Sequence, residues 1–526
     1  MVAGQQSNPK QADVNDDLIA LLIHQHRSQI RPALERLWAY YRNDLDFSAA
    51  GEHRQYAAAQ EQGLPRRIRR CDPDINNRSP REIVIENDIG WRVHTLVDFM
   101  FGQPISVQSL CPDRDKAALI ERVLTNVFDA NGGIGFFQDM ALLGGVYGFV
   151  DLMLRVDRLP PFTQARDGRL RPDRGSSRDS SKDSITGPVP NQAPSNPDTT
   201  QRALRFAANI SIETVEAPRA VPVMNPDDYR KLDAYLLHYT QQLNRVERNR
   251  FLARLIDRSG GGAAPGRQVT VDVTEHWTDQ TIRVYHAQKL IDEMVNPIGR
   301  LPVVHIQNLP QPFFYEGLSE VEPLIPLQDE LNTRLSDRAN RVTFQSFKMY
   351  LGKGIENFLE RPISPGQMWT TDNPDATIET FGGDAANPSE DTHINEIREA
   401  MDKTSAVTAA AAGLIRNKIG NLTSENALRI VMMGLLARTQ KKRITYGAGI
   451  ERLCELVLHT MDLAGVLPTQ PDERRIRIHW PSPIPENTTQ RLQDAEIKKR
   501  LGVPEHVILA ELGYGQKDRE EIATTM

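Results

Sequence analysis

Apolar residues recur along this chain first at helical and then at strand spacing, so elements can be assigned before any chemistry is considered. Between 16 and 41, Leu18, Leu21, Leu22, Ile30, Leu34, Leu37 and Trp38 mark an amphipathic helix, or a helix pair broken at Pro32. From 83 to 110 the apolar clusters end in Phe101-Gly102-Gln103-Pro104, which predicts helix, turn and strand. Helices follow at 116–128 and 136–146, parted by Asn131-Gly132-Gly133, and 148–156 (GFVDLMLRV) reads as a strand. The strand pattern resumes over 204–223. Leu232, Tyr235, Leu236, Tyr239, Leu243 and Val246 lie at three-to-four spacing, which predicts one long helix over 227–256, ended by Gly260-Gly261-Gly262. Short strands at 269–274, 281–286 and 301–306 then make a small β-rich module between two helices.

The second of those helices is the best defined. Ser319 and Glu322 have capping-box spacing, and Leu324, Leu327, Leu331, Leu335 and Val342 form one stripe. Its other faces carry Asp329, Glu330, Arg334, Asp337, Arg338 and Arg341. Strand-like pieces at 367–369 and 377–381 precede a loop at 382–388 and a helix at 392–403. The stretch 424–464 is helical for longer than a typical globular helix and predicts a helix hairpin or a rod. A strand at 475–480, a Pro-rich 481–485 and a helix at 488–500 complete the reading. The fold class is α+β, mostly α.

One segment departs from all periodicity. Residues 171–200 hold five Pro, six Ser, four Asp and two Gly and almost nothing apolar, so they cannot bury enough surface to offset their ordering entropy. We read a disordered insertion within a domain; a linker between independent domains is the alternative. The whole chain of 526 residues is 39% apolar with 25% charged residues, enough to bury sizeable cores. Its 63 Lys+Arg against 69 Asp+Glu give a net charge of −6, which argues against a protein that holds nucleic acid mainly by neutralising phosphates. Cys71, Cys111 and Cys454 are too scattered for a zinc site and read as reduced thiols. The polar N-terminus and the lack of any long apolar run predict neither a secretory signal nor a membrane span.

Candidate chemistry is sparse. The chain lacks GxxxxGK[ST], GxGxxG, HExxH and GxSxG, so nucleotide hydrolysis, dinucleotide redox, zincin and serine-hydrolase chemistry lose their usual support. His24 and His26 would point to different helix faces and form no metal site. The glycines at 132–135 and 260–262 read as turns and hinges. The Arg66, Arg67, Arg69, Arg70 run and the Lys441-Lys442-Arg443 triplet read first as solvated or subunit-facing charge and second as phosphate contacts. An enzyme reading would use Asp88, His94 and Asp98, of which His94 and Asp98 sit at i, i+4.

The order of these elements resembles the portal proteins of tailed bacteriophages. GRLPVVHIQN (299–308) and GLSEVEPLIPLQDELNTRLSDRANRVTFQSF (317–347) resemble that family's G-x-x-P-V-V-x-x-x-N and V-x-x-L-x-D-x-x-N-x-x-x-S-D stretches. TSENALR (423–429) and Lys441-Lys442-Arg443 are similar to the start and the basic element of its crown helices, and 475–480, Pro485 and 501–516 to its closing strand, proline and helical turn. LWAYY (37–41) and NDIGWRVHTLVDFMFGQPI (87–105) resemble its YY helix and N…V…G-x-P-I element. The insertion and Glu425, where a glycine is common, depart from the pattern.

What the resemblance implies is a non-enzymatic subunit of a homo-oligomeric ring, generally twelvefold, at one capsid vertex of a virion assembled in the bacterial host cytoplasm, with no cofactor and no membrane. Double-stranded DNA passes through its channel during packaging and ejection. Its partners are the terminase large subunit, the major capsid and scaffolding proteins and the head-tail adaptor. The implied division is N-terminal helix and wing at 1–225, stem helices at 226–258 and 317–348, clip at 259–316, wing and channel loop at 349–422, and crown with C-terminal segment at 423–526. Arg334, Arg338, Arg341, Lys348, Lys441, Lys442 and Arg443 are the candidate DNA-channel or intersubunit residues. Another phage connector is the alternative within the same biology, against which the length of the chain argues.

Overall fold

A computed structural model describes residues 16–49, 56–69, 82–159, 162–164, 170–172, 197–228, 231–243, 269–346, 349–353, 373–381, 388–409, 411, 429–484, 488–503 and 508. The chain folds as two units of mixed helix and strand, each assembled from separated stretches. The first holds 1–94, 140–157 and 212–406; the second holds 95–139, 158–211 and 407–526.

The first unit is organised on a five-stranded antiparallel sheet in the order Lys289–Val295, Thr281–His286, Val269–Trp277, Leu232–Leu243, Ala220–Met224. Leu232–Leu243 is the correction to the predicted 227–256 helix: its described part is a strand, and the rest of that helix (244–256) lies outside the described residues. The cause of the misreading is burial on both faces. Ala234 and Leu236 pack with Ile19, Val221 and Val223 beneath the N-terminal helix, while the alternate residues Tyr235 and Leu237 are buried too. A strand covered on both sides loses its alternation and becomes a continuous apolar run, which also satisfies three-to-four spacing. The strand Lys289–Val295 carries Leu290, Ile291, Met294 and Val295 in no alternating order, and as an edge strand it leaves its side chains mostly exposed.

A second sheet of the same unit places Phe149–Leu154 between Val303–Gln307 and Ile212–Val215. The strand Val303–Gln307 therefore does not belong to a self-contained β module, as the expected clip at 259–316 required; it pairs with residues some 150 positions earlier. Arg155 at the end of this sheet is buried, reaches Asp157 (2.8 Å), Glu213 (3.1 Å) and Glu275 (2.9 Å), and lies over the Trp277 ring. Burial opposes its charge, but the three carboxylates outweigh that and hold the guanidinium protonated.

The N-terminal helix runs Asp16–Gln25, passes through a π turn at His26–Ile30 and continues as Arg31–Arg42. The widened turn sits directly before Pro32, which has no N–H to continue an α ladder. Helix Ile325–Ser346 begins after Ser319, whose hydroxyl accepts from the N–H groups of Val321 (3.0 Å) and Glu322 (3.2 Å) and donates to the Val146 carbonyl (2.6 Å). Gly148 and Gly317 meet where two backbones cross: a Cβ on either would fall within 2.6 Å of the other's carbonyl oxygen, and Gly148 has φ +91°.

In the second unit, helix Arg114–Ala130 is capped by Asp113 and buries Leu119, Ile120, Val123, Leu124 and Val127. Left-handed Gly132 and Gly133 make the turn that ends it. Residues 433–463 form one 31-residue helix rather than a hairpin. Its Gly447 lies against the Trp480 indole, and it stops at left-handed Gly465, where Val466 N–H closes onto the Met461 carbonyl at 3.0 Å. Strand Ile476–His479 pairs with Ser106–Ser109. Leu204 lies in helix Pro197–Ala207, so the expected strand begins only at Ile212. Residues 173–196 of the expected insertion lie outside the described residues, as do Cys71, Gly260-Gly261-Gly262, Lys348, 367–369 and most of 501–516.

His26 and His238 give the first unit a pH dependence. Burial lowers both imidazole pKa values from 6.5; each also feels Arg31, His26 feels His238, and for His238 the Arg27 charge lowers further while Asp272 partly offsets it. The unfolded chain therefore binds these protons at higher pH than the folded one, so their contribution to stability is complete above about 6.5 and is lost as the pH falls below it. Amide protection factors in 17–25 and 232–243, that is exchange corrected for the base-catalysed intrinsic rate, should fall as the pH is lowered from 7.5 to 5.5, and His26→Phe should flatten that dependence. Equal protection at both pH values would refute the coupling.

Candidate functional site

The predicted apolar stripe on Ile325–Ser346 is not the face that packs most deeply. Leu324 and Leu331 are buried, but Val342 is exposed, and the fully buried positions include Gln328, Asn332 and Ser336. These three and Asn340 are spaced four apart, on one face of the helix. Opposite them runs the extended segment 82–88. Asn340 accepts from Glu82 N–H (2.9 Å) and donates to its carbonyl (2.7 Å). Ser336 does the same for Val84 (3.0 and 3.2 Å). Asn332 accepts from Glu86 N–H (3.0 Å), Gln328 donates to the Glu86 carbonyl (2.6 Å), and Gln328 accepts from Asp88 N–H (3.1 Å). Four polar side chains thus serve the alternate residues of an extended chain as a neighbouring strand would.

The network continues inward. Gln328 donates to Asn332, Asn332 donates to Gln60 (3.0 Å), and Gln60 donates to the Tyr40 carbonyl (2.6 Å) and to Asn87 (2.8 Å). Asn87 donates to the Tyr41 carbonyl and accepts from Gly90 N–H at the start of helix Asp88–Phe101. Tyr40 donates to Asp329 (2.7 Å); burial, reinforced by Asp329, pushes its phenol up to about 12.

The charged faces of the same helix are matched by carboxylates. Arg334 pairs with Glu330 (2.7 Å), Arg338 with Asp391 (2.9 Å) and Arg341 with Glu390, the last two partners lying on helix Pro388–Ser405. Arg67 makes a bidentate pair with Asp337 (2.6 and 2.9 Å). Of the triplet in the second unit, Lys441 is exposed, whereas Lys442 is 3% exposed on the inner face of its helix. Arg443 donates to the Pro481 carbonyl (2.8 Å) and lies over Trp480. Lys442 therefore does not belong to a solvated basic patch, because the helix buries Thr439, Lys442 and Tyr446 on one side, whereas Arg443 is half-buried.

A second polar centre was not foreseen. Asp151, fully buried on the central strand of the three-stranded sheet, accepts from Tyr235 (2.6 Å) and from Tyr315 (2.9 Å to each oxygen), and its Oδ1 lies 2.7 Å from Nδ1 of His305, its register partner. Nε2 of His305 lies 2.8 Å from the Tyr315 carbonyl, and the two rings stack at 3.8 Å. Burial and the Asp151 charge hold both phenols well above 10, so they remain donors. The signal that could have found it is the aspartate inside GFVDLMLRV, an acid in the middle of an otherwise apolar strand.

The residues of the enzyme reading are placed as follows. Asp88 is buried, accepts from Trp91 Nε1 and pairs with Arg92 (3.0 Å), which also reaches Asp402 (2.7 Å) and Ser405 (3.0 Å). His94 is exposed with Nε2 3.3 Å from the Tyr41 hydroxyl, and Asp98 is exposed. Among the described residues no group of three or more His, Cys, Asp or Glu could hold a metal, and no helix is long and apolar enough to cross a membrane. Cys111 and Cys454 are buried free thiols; burial and Glu451 push the latter up.

A family profile described as phage portal protein, SPP1 Gp6-like, matches residues 206–524, more than half of the chain. No curated protein matches. Two solved structures that match are a chain from the virion of a native gene transfer agent particle (11% identity, TM-score 0.39) and one from the neck of an empty particle of that kind computed with C6 symmetry (10% identity, TM-score 0.40). Each alignment covers 81% of this chain and 90% of the other.

The side-chain ladder makes a prediction opposite to that of an apolar stripe. Asn332→Leu strips partners from Glu86, Gln328 and Gln60 at once and should lower stability by roughly 2–4 kcal/mol in urea denaturation, at about 1–3 kcal/mol for each buried group left unmatched and some relaxation. Val342→Ser should cost within about 0.5 kcal/mol, as exposed substitutions do.

Proposed function

The chain belongs to the SPP1 Gp6-like phage portal protein family, and from that premise we propose that it is the subunit of a ring, generally twelvefold, at one vertex of a phage-like capsid, conducting double-stranded DNA during packaging and ejection. The family match over 206–524 carries this reading. On this account the ring docks the terminase large subunit and later a head-tail adaptor, contacts the capsid and scaffolding proteins, and is assembled in the bacterial cytoplasm without enzymatic chemistry or cofactor.

The physical argument concerns charge. DNA must slide through such a ring, so its walls should hold phosphate weakly, and affinity for phosphate rises with each cation that releases a counterion. The −6 balance suits this, as do arginines whose charge is already met by Glu330, Asp391 and Glu390. We assign Arg334, Arg338, Arg341, Lys348, Lys441 and Arg443 to channel or intersubunit contacts, and Lys442 to the interior of its own helix packing. The expected wing, clip, stem and crown become a division by function, with Ile325–Ser346 the helix within 317–348 and 226–258 assigned to the β layer where it is described.

Purified protein should run as a large ring in light scattering and show a central channel in electron micrographs. A protein that stays monomeric at every salt and protein concentration would remove this reading. Arg338→Glu, which sets like charges against Asp391, should reduce DNA packaging more than ring formation.

A further inference from the structure

The exposed loop that follows Val303–Gln307 is built with unusual care for a surface segment. Gln307 uses its side-chain amide to reach the carbonyls of Phe314 (2.9 Å) and Tyr315 (3.1 Å), and Asn308 reaches the Leu318 carbonyl (3.0 Å). Leu318 N–H donates to the Leu309 carbonyl (3.0 Å), and the buried Asp151 centre grips Tyr315 through its hydroxyl. Pro310 and Pro312 fix two more backbone angles. At the tip stand two adjacent phenylalanines, Phe313 at 78% and Phe314 at 58% exposure, and Phe313 adopts φ +72°, a conformation that L side chains rarely take. Strain and exposed aromatic area held by so many bonds mark an interaction anchor.

The same unit also carries a receptor of matching chemistry. An open hollow of about 500 Å³ is lined by Trp38, Tyr41, Trp91 and His94, with Arg42 and Asn87 at its polar side. Trp38 and Tyr41 stand 5.2 Å apart, and Tyr41 and His94 5.6 Å, so the wall is a set of tilted rings suited to edge-to-face contact with phenyl groups. Neither phenylalanine lines the hollow, so within one chain the two features are separate. A closed ring of more than two copies needs two different, mutually complementary patches on each subunit.

We propose that Phe313 and Phe314 of one copy insert into the Trp38–Tyr41–Trp91–His94 hollow of the next copy, forming a head-to-tail contact of the ring. This rests on the portal reading above. Asp151, His305 and Tyr315 act as positioning residues for the anchor.

The test starts from wild-type rings seen in micrographs. Phe314→Ser should raise the protein concentration needed for assembly by roughly 100-fold, the effect of removing an aromatic anchor from a packed contact. In a Cys71→Ser background, the pair Glu316→Cys, beside the anchor, and Arg42→Cys, at the polar side of the hollow, leaves both phenylalanines and all four rings in place; treated with a bismaleimide it should give a covalent ladder extending past the dimer, and neither single cysteine should do so. Rings that form from wild type, assemble undiminished with Phe314→Ser and give no ladder overturn this contact while leaving the portal reading in place. A dimer from Glu316→Cys alone also overturns it, since that result places two anchors face to face. Wild type that forms no ring removes the portal reading itself.

Discussion

The first unit depends on a dimensional match between a helix and an extended chain. Four residues of helix advance about 6.0 Å and two residues of strand about 6.6 Å. Side chains at every fourth position can therefore meet every second residue of a strand for several rungs before the registers part. Gln328, Asn332, Ser336 and Asn340 use that coincidence against 82–88. The drift is about 2 Å over three intervals. It is absorbed by side-chain length, with the longest amide, Gln328, at one end. Backbone groups that would otherwise need a second strand are satisfied by a helix, and Gln60 and Asn87 tie the same network to helix Arg31–Arg42.

This explains why the helix at 325–346 was easy to locate and hard to orient. Its boundaries follow from Ser319, the leucines and the charged faces, all local signals. Which face packs does not, because a buried Gln, Asn and Ser read as solvent-facing until their partners, some 240–258 residues away, are known. The residues quoted for the family resemblance, Asn87, Asn332, Ser336 and Asp337, are the ones that hold 82–90 and Arg67 in place. A pattern legible as family likeness is thus physically a set of backbone clamps. The Leu232–Leu243 strand shows the opposite failure. Its apolar content was visible, but sheet burial on both faces erased the period that separates strand from helix.

Three buried charges among the described residues are placed in closed sets. Asp151 answers two phenols and an imidazole, Arg155 answers three carboxylates, and Arg92 answers Asp88, Asp402 and Ser405. Each joins segments distant in sequence, so each converts electrostatic satisfaction into a constraint on tertiary register. Removing one member leaves a buried charge or donor without an answer, which makes these centres stricter than an apolar core that can repack.

The ladder has a consequence in time. Segment 82–88 leaves the ribosome about 240–258 residues before the side chains that complete it. At roughly 5–20 residues per second that interval is on the order of 12–50 s. Throughout it, the N–H and C=O groups of an extended stretch stand open, and a foreign strand edge could occupy them. A stray strand can offer only backbone bonds, whereas Gln328, Asn332 and Ser336 bring with them the Gln60 and Asn87 network that no stray strand supplies.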